Sequence, residues 1–247
     1  VERIGSYGRA ISLRRKAVDA IVVIMRYLPI NLDVRGKAVV VVGGGTVAAR
    51  KSRQLLSAGA KVTVIAPELG KPLITLVGKG RIKHHSRPYR SGDLKGASLA
   101  FAATSDIETN LMVAKEAKSV NIPVAVVNAP EAGSFISPAV VSRGDLLLTV
   151  STGGRAPLLS SHIRKELEAR YGPEYGSLTE LLAMVREKLL TEHRGTSYNK
   201  KILQAIIEAG LPKAGAGGKT IDIDTLMAAL AESPKKRRQR GTAKDTP

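Results

Sequence analysis

The 247-residue sequence contains no cysteine and no tryptophan, and only two phenylalanines. Without cysteine there is neither a disulfide framework nor a thiolate metal site, which fits a reducing compartment, and a cytoplasmic protein is expected. With so few large aromatics, the core has to be assembled from Val, Ile, Leu and Ala. Long apolar runs are missing too. The longest near the start, AVDAIVVIM at residues 17–25, is interrupted by Asp19 and is far shorter than a bilayer requires. It shows no small-residue cleavage pattern, so neither a membrane span nor a signal peptide is expected. Acidic residues are the last shortage: 21 Asp and Glu against 39 Lys and Arg leave a formal charge of +18. Residues 1–24 carry +3 of it and residues 233–247 carry +5, leaving +10 on the body between them. Such a surplus favours an anionic partner, either nucleic acid or a polycarboxylate or phosphate ligand.

What is present is an alternation. Residues 37–42 (KAVVVV) form a continuous β-branched run, as expected of a strand buried on both faces. Residues 46–60 (TVAARKSRQLLSAGA) have helical spacing, with Val47, Leu55 and Leu56 apolar and Gly59 as the stop. Further strands are expected at 61–67, 81–86, 98–104 and 123–128, with a helix over 106–120. Strands alternating with helices imply right-handed crossovers and therefore a parallel, doubly wound α/β sheet. Beyond Asn128 the texture changes to turns, one strand at 145–151 and a Gly-Gly turn. A mainly helical stretch follows, broken near Gly172, Gly195 and residues 210–219. The expected organisation is an upstream extension (1–24), the sheet domain (25–128), a short segment (129–156), a helical domain (157–232) and a basic, disordered tail (233–247). The tail's KKRRQR lacks interleaved aromatics, so a solvated extension is expected rather than nucleic-acid contact.

The glycine run decides the cofactor. Gly43, Gly45 and Ala48 have the G-x-G-x-x-A spacing of a dinucleotide fingerprint, directly after a buried strand and before a helix. The first glycine permits the tight turn, the second lets the backbone approach a pyrophosphate, and the small third residue packs helix on strand. The N–H groups of Thr46 and Val47, aided by the helix dipole, would hold the pyrophosphate. The second strand usually ends in an acid that accepts from the adenosine ribose; here it runs into VIAPE, with Ala66 and Pro67 at that point and the acid delayed to Glu68. No Arg follows at once to receive a 2′-phosphate, so NAD is favoured over NADP. The competing readings are a nucleotide-free packing turn and a solvated loop carboxylate.

Taken in order, YLPINLDVRGKAVVVVGGGTVAARK, KVTVIAPE, AATSDIETN, VVNAPEAGSFISPA and RGDLLLTVSTGGRAPLLSSHIRKELE resemble the precorrin-2 dehydrogenase family, also called the siroheme synthase N-terminal module, over roughly residues 27–190. The resemblance implies a Rossmann-like domain, a small dimerisation segment over 129–156 and a C-terminal helical domain, in a homodimer whose active cleft lies between domains. It implies oxidation of precorrin-2 to sirohydrochlorin with a hydride passed to NAD+, and in some members insertion of Fe2+. Cofactor contacts carried over from the family fall on Gly45, Thr46, Val47, Pro67 and Glu68. Ser134 and Phe135, with Pro138, would line the substrate cleft, the alternative being a conformationally demanding interface loop. Ser151, Thr152, Gly153 and Gly154 match a second loop whose N–H groups are expected to form an anion nest. A reduced tetrapyrrole bearing many carboxylates also suits the basic body.

One position departs from the family pattern. Where an Asp is common, taken as a general base, this chain has Asn128 in VVNAP. A neutral amide orients a pyrrole N–H or a carboxylate but takes no proton at neutral pH. The proton then leaves to water, to a substrate carboxylate or to a neighbour such as Glu131, and iron insertion suffers more from the change than dehydrogenation does. The histidines add little. His84 and His85 are adjacent on a strand and point to opposite faces, and His162 reads as a helix-surface residue. No pair has metal-ligand spacing, so no metal site is expected. Two alternatives to the dehydrogenase stand: a bifunctional enzyme that also inserts iron, and a nucleotide-sensing protein that binds nucleic acid through its basic ends.

Overall fold

A computed structural model describes residues 26–191 and 196–209. The expected extension at 1–24, His193 and the tail at 233–247 lie outside these residues. The chain divides into two compact units, one ending at Ser137 and one beginning at Pro138.

In the first unit the β-branched run becomes β1 (Ala38–Val42). It is followed by α1 (Thr46–Ser57), β2 (Lys61–Ile65), α2 (Lys71–Gly78), β3 (Lys83–His85), β4 (Leu99–Ala102), α3 (Ile107–Ser119) and β5 (Val124–Val126). The five strands are all parallel, in the order β3-β2-β1-β4-β5. The order reverses between β1 and β4, and that crevice is where open α/β sheets bind ligands. The expected doubly wound sheet is therefore observed. Its strand ends are trimmed by one or two residues, and α2, whose KPLITLVG falls between two strand signals, is an additional helix.

The uninterrupted apolar strands follow from burial on both faces. Val39, Val41, Val62, Val64, Leu99 and Phe101 face α1 and α2. Val40, Val42, Ile65, Ala100, Ala102, Val124 and Val126 face α3 together with Leu94 and Tyr89. Each buried Val contributes on the order of 2 kcal/mol, so the small side chains compensate by number for the missing aromatics. The helix stop expected at Gly59 is realised: its φ is 78°, and Ala60 N–H reaches back to Leu55 O at 3.0 Å.

After β5 the chain makes a short turn, Pro130–Ala132, and doubles back along that strand. Ser134 N–H donates to Val124 O (2.8 Å), and Val124 N–H donates to Ser134 Oγ (2.9 Å). This pairing is why the first unit extends to Ser137 rather than ending with the last strand.

In the second unit β6 (Ala139–Arg143) and β7 (Leu146–Val150) form an antiparallel hairpin. Only the second of these strands was legible in the sequence. The first, AVVSR, is revealed by the two-residue turn with Gly144 at φ 57°. The hairpin packs on α4 (Pro157–Arg170), and Arg143 Nε donates to Tyr171 O at 2.9 Å. Then α5 (Glu174–Thr191) and α6 (Thr196–Ala209) share a core of Leu181, Val185, Leu189, Ile202 and Ile206.

Candidate functional site

The three consecutive glycines after β1 have three different tasks. Gly43 sits at φ 127° with its N–H on Ile65 O (2.9 Å), and a Cβ there would run into the Ala103 carbonyl. Gly44 lies against the turn after β2. Its carbonyl accepts from Gly70 N–H (2.9 Å), and a Cβ would overlap the Glu68 carbonyl. Gly45 is different: a Cβ there would meet nothing within 4 Å. The backbone is bare at Gly45, whereas at Gly43 and Gly44 the chain itself fills the space.

Gly45 is also the N-cap of α1, with no side chain capping the helix and no acidic residue in its first turn. The start of α3 is the opposite case. There Asp106 accepts from the N–H groups of Glu108 (3.1 Å) and Thr109 (3.0 Å). Thr109, through its hydroxyl and its N–H, holds the Asp106 carboxyl below the usual carboxylate range. Thus α1 presents free N–H groups and the positive end of its dipole beside an open approach, as a pyrophosphate requires. Thr46 is exposed, Val47 turns its side chain towards the core, and Ala48 is fully buried against the sheet.

The end of β2 is tied to this turn. Pro67 and Glu68 are exposed, and the Glu68 backbone abuts Gly44. His84 Nε2 donates to Ala66 O at 2.9 Å, and Ser86 Oγ donates to Pro67 O at 3.2 Å, fixing the strand end from β3. His85 lies on the other side near Arg87, at 3.5 Å, so the two histidines do face apart. Thus Gly45, Thr46, Val47, Pro67 and Glu68 are brought together at the C-terminal ends of β1 and β2.

Two strands further along, Asn128 follows β5 and is exposed, its Oδ1 accepting from Asn110 Nδ2 at 2.8 Å. Asn110 is fully buried on α3. Sequence reasoning missed it. The available signal was a polar residue on the stripe Asn110, Val113, Ala114, Ala117, which is otherwise apolar and faces the sheet.

Within the same unit, Ser134 is not gathered at this end. Ser134 pairs with the first residue of β5, roughly 13 Å along the strand from the level of Asn128. Its hydroxyl serves the Val124 backbone, and Phe135 meets Phe101 edge to face at 5.5 Å. In the second unit Thr152 Oγ1 accepts from Ala156 N–H (3.1 Å) and contacts Ser160 Oγ (3.0 Å). At the expected anion nest over 151–154, part of the donor set is used within the loop. Gly153 N–H is taken by Ser151 Oγ and Arg155 N–H by Thr152 O. Gly153 and Gly154 both have positive φ (64° and 81°). His162 is exposed and pairs with Glu166 at 3.3 Å. Among the described residues no three His, Asp or Glu are grouped so as to hold a metal ion. No helix among them is long and apolar enough to cross a membrane.

The sheet order, the bare glycine turn and the uncapped helix define a dinucleotide-binding α/β protein. The comparisons narrow this. Residues 30–139 match the NAD(P)-binding family NAD_binding_7, and residues 143–170 match the central domain of sirohaem biosynthesis proteins. The siroheme synthase of Methylobacillus flagellatus is 44% identical over 163 residues, covering 66% of this chain and 35% of that protein. That of Stutzerimonas stutzeri is 34% identical over 204 residues, covering 83% of this chain and 44% of that protein. Among solved structures, SirC, a precorrin-2 dehydrogenase, is 27% identical with a TM-score of 0.63, covering 83% of this chain and 99% of that one. The chain is similar to siroheme synthases and to a precorrin-2 dehydrogenase along most of its length, and it spans less than half the length of the curated siroheme synthases it matches.

Proposed function

We propose that this chain is an NAD-dependent dehydrogenase that oxidises precorrin-2 to sirohydrochlorin in siroheme synthesis, working as a cytoplasmic homodimer. The observation that carries the proposal is the open glycine turn at Gly45, on a chain whose likeness to SirC covers 99% of that dehydrogenase. Thr46 and Val47 hold the pyrophosphate through their N–H groups. Glu68 accepts from the ribose hydroxyls, and its charge opposes a 2′-phosphate, which favours NAD over NADP. When bound, NAD+ supplies the hydride acceptor. The protein's own task is to place the macrocycle over the C-terminal ends of β4 and β5, keeping the reacting carbon against the nicotinamide. Asn128 stands at that end and, as an amide, takes no proton; the proton leaves to water or to a substrate carboxylate. Ser134 and Phe135 belong to this proposal as candidate substrate-binding residues of the first unit, and Thr152 and Gly153 as candidates of the second.

The test is to incubate the purified chain with precorrin-2 and NAD+. NADH and the sirohydrochlorin spectrum should grow together, and the absence of both rejects the assignment. Supplying Fe2+ with sirohydrochlorin asks separately about iron insertion, for which Asn128 provides one carboxylate fewer than the family pattern.

A further inference from the structure

The orientation of the Asn128 amide is fixed by atoms whose polarity leaves no choice. Thr104 N–H, a donor, lies 3.2 Å from Asn110 Oδ1, and the Thr104 carbonyl, an acceptor, lies 3.0 Å from Asn110 Nδ2. Thr104 Oγ1 adds a contact at 2.9 Å to the same Oδ1. Turning the Asn110 amide over would set carbonyl against carbonyl and N–H against N–H in a fully buried position, so it cannot flip. Its second Nδ2 hydrogen is therefore committed outward, to Asn128 at 2.8 Å, and the atom it meets must be an oxygen. Asn128 thus turns Oδ1 inward and Nδ2 away from Asn110, from an exposed position just past β5. The base of the arrangement is itself secured, because Thr104 Oγ1 also lies 2.7 Å from Asp106 O at the capped start of α3.

We propose that Asn110 is a positioning residue that presents the Asn128 Nδ2 hydrogens as a hydrogen-bond donor to an oxygen acceptor bound over the ends of β4 and β5. That acceptor is a carboxylate of the substrate or the carboxamide oxygen of the nicotinamide. The inference rests on the dehydrogenase assignment and deepens it. Position 128 in this chain recognises an oxygen, where an aspartate would itself present one. Asn110 serves either residue equally, since its Nδ2 hydrogen can be accepted by an amide oxygen or by a carboxylate. The change from acid to amide therefore alters only the group facing the ligand.

The decisive variant is Asn128→Asp, which has the same shape and keeps the bond from Asn110 but replaces the outward donor with a charged acceptor. The KM of the contacted ligand should rise about tenfold or more while kcat falls less, because a hydrogen bond to it is lost and repulsion is gained. If the partner is a substrate carboxylate, the increase appears in the KM for precorrin-2 and shrinks at high ionic strength. If it is the carboxamide, the increase appears in the KM for NAD+. A higher kcat in Asn128→Asp, or both KM values unchanged, overturns the proposal.

Asn110→Ala should reproduce part of the KM increase, since Asn128 then loses its fixed orientation. Nuclear magnetic resonance of the 15N-labelled full chain supplies a readout independent of turnover and of the folding of any variant. Both Asn110 side-chain amide protons should exchange slowly in the free protein, and those of Asn128 should exchange fast until NAD+ or sirohydrochlorin is added, when their resonances shift. Asn128 resonances unmoved at saturation by both ligands refute the donor role. Failure of the wild type to form NADH would instead reject the dehydrogenase assignment.

Discussion

At the scale of single residues, the glycine turn separates tasks that a spacing motif runs together. Gly45→Ala adds a methyl group into open space at a φ of −85°, which alanine adopts freely. The variant should keep the wild-type unfolding midpoint yet bind NAD+ at least about tenfold more weakly by calorimetry, because the methyl occupies the approach of the pyrophosphate. Gly44→Ala should lose both binding and stability, since its methyl overlaps the Glu68 carbonyl. Lys51 makes a second case. It is 8% exposed on the inner side of α1, with Nζ 5.7 Å from the Phe101 ring centroid and 3.4 Å from Gln54 Oε1. None of the salt bridges among the described residues involves it. Burial, with a smaller contribution from Arg50, brings its pKa from the usual 10.5 down to about 8. The folded chain therefore binds fewer protons than the unfolded chain between those values, and stability from this group rises as pH climbs from about 8 to 10.5. Lys51→Met should stabilise the protein by about 2 kcal/mol at pH 7 and remove that rise, as read from urea midpoints across the pH range. The fingerprint was legible because its spacing is local. Asn110 and Lys51 were not, because a lone polar residue on a helix looks like part of the solvated face until the tertiary partner is known.

At the scale of elements, the long connection from β3 to β4 is tied to α3 by one carboxylate. Glu116 on α3 accepts from the Tyr89 hydroxyl (2.5 Å) and from the N–H groups of Gly92 (3.0 Å) and Leu94 (3.1 Å). Burial first, and then the Glu116 hydrogen bond, push the Tyr89 phenol well above its ordinary range, so it stays a donor throughout the working pH range. Leu94, fully buried in the core beside α3, depends on this attachment to stay in register. Glu116→Ala should destabilise the fold by about 2–4 kcal/mol, leaving two N–H groups and a phenol without their acceptor. Amide exchange at Gly92 and Leu94 should accelerate more than at β1. Equal protection of those two amides in variant and wild type would show that the loop is held by other means. The strands that enter the core were readable as runs of Val, Ile and Ala. This connection was not, because Arg87–Asp93 and Tyr89–Glu116 join residues 6 and 27 positions apart and leave no periodic trace. The first strand of the hairpin escaped for a related reason: AVVSR is short, and only its pairing with β7 gives it a direction.

At the scale of the whole molecule, charge is the property that composition made plain. With +10 on residues 25–232 and a further +5 on 233–247, the protein carries a strong positive charge that suits the polycarboxylate substrate proposed above. Long-range attraction of that kind raises the encounter rate and is screened over about 8–10 Å at physiological ionic strength. The kcat/KM for precorrin-2 should therefore fall steeply with added salt, while kcat, set after the substrate is seated, changes little. Removing both residues 1–24 and 233–247 tests where the field resides. The shortened chain retains the +10, the glycine turn and Asn128, so it should turn over at the full-length kcat and keep most of the salt dependence of kcat/KM. If the basic ends were themselves the anion-binding part, as in a nucleotide-sensing protein attached to nucleic acid, their removal would abolish salt-sensitive binding. A shortened chain that lost the salt dependence while keeping kcat would place steering in the ends, whereas loss of kcat would show that the ends take part in turnover. The +10 left on the body predicts neither result, because most of the charge a polycarboxylate meets at distance stays with the sheet and the helices that follow it.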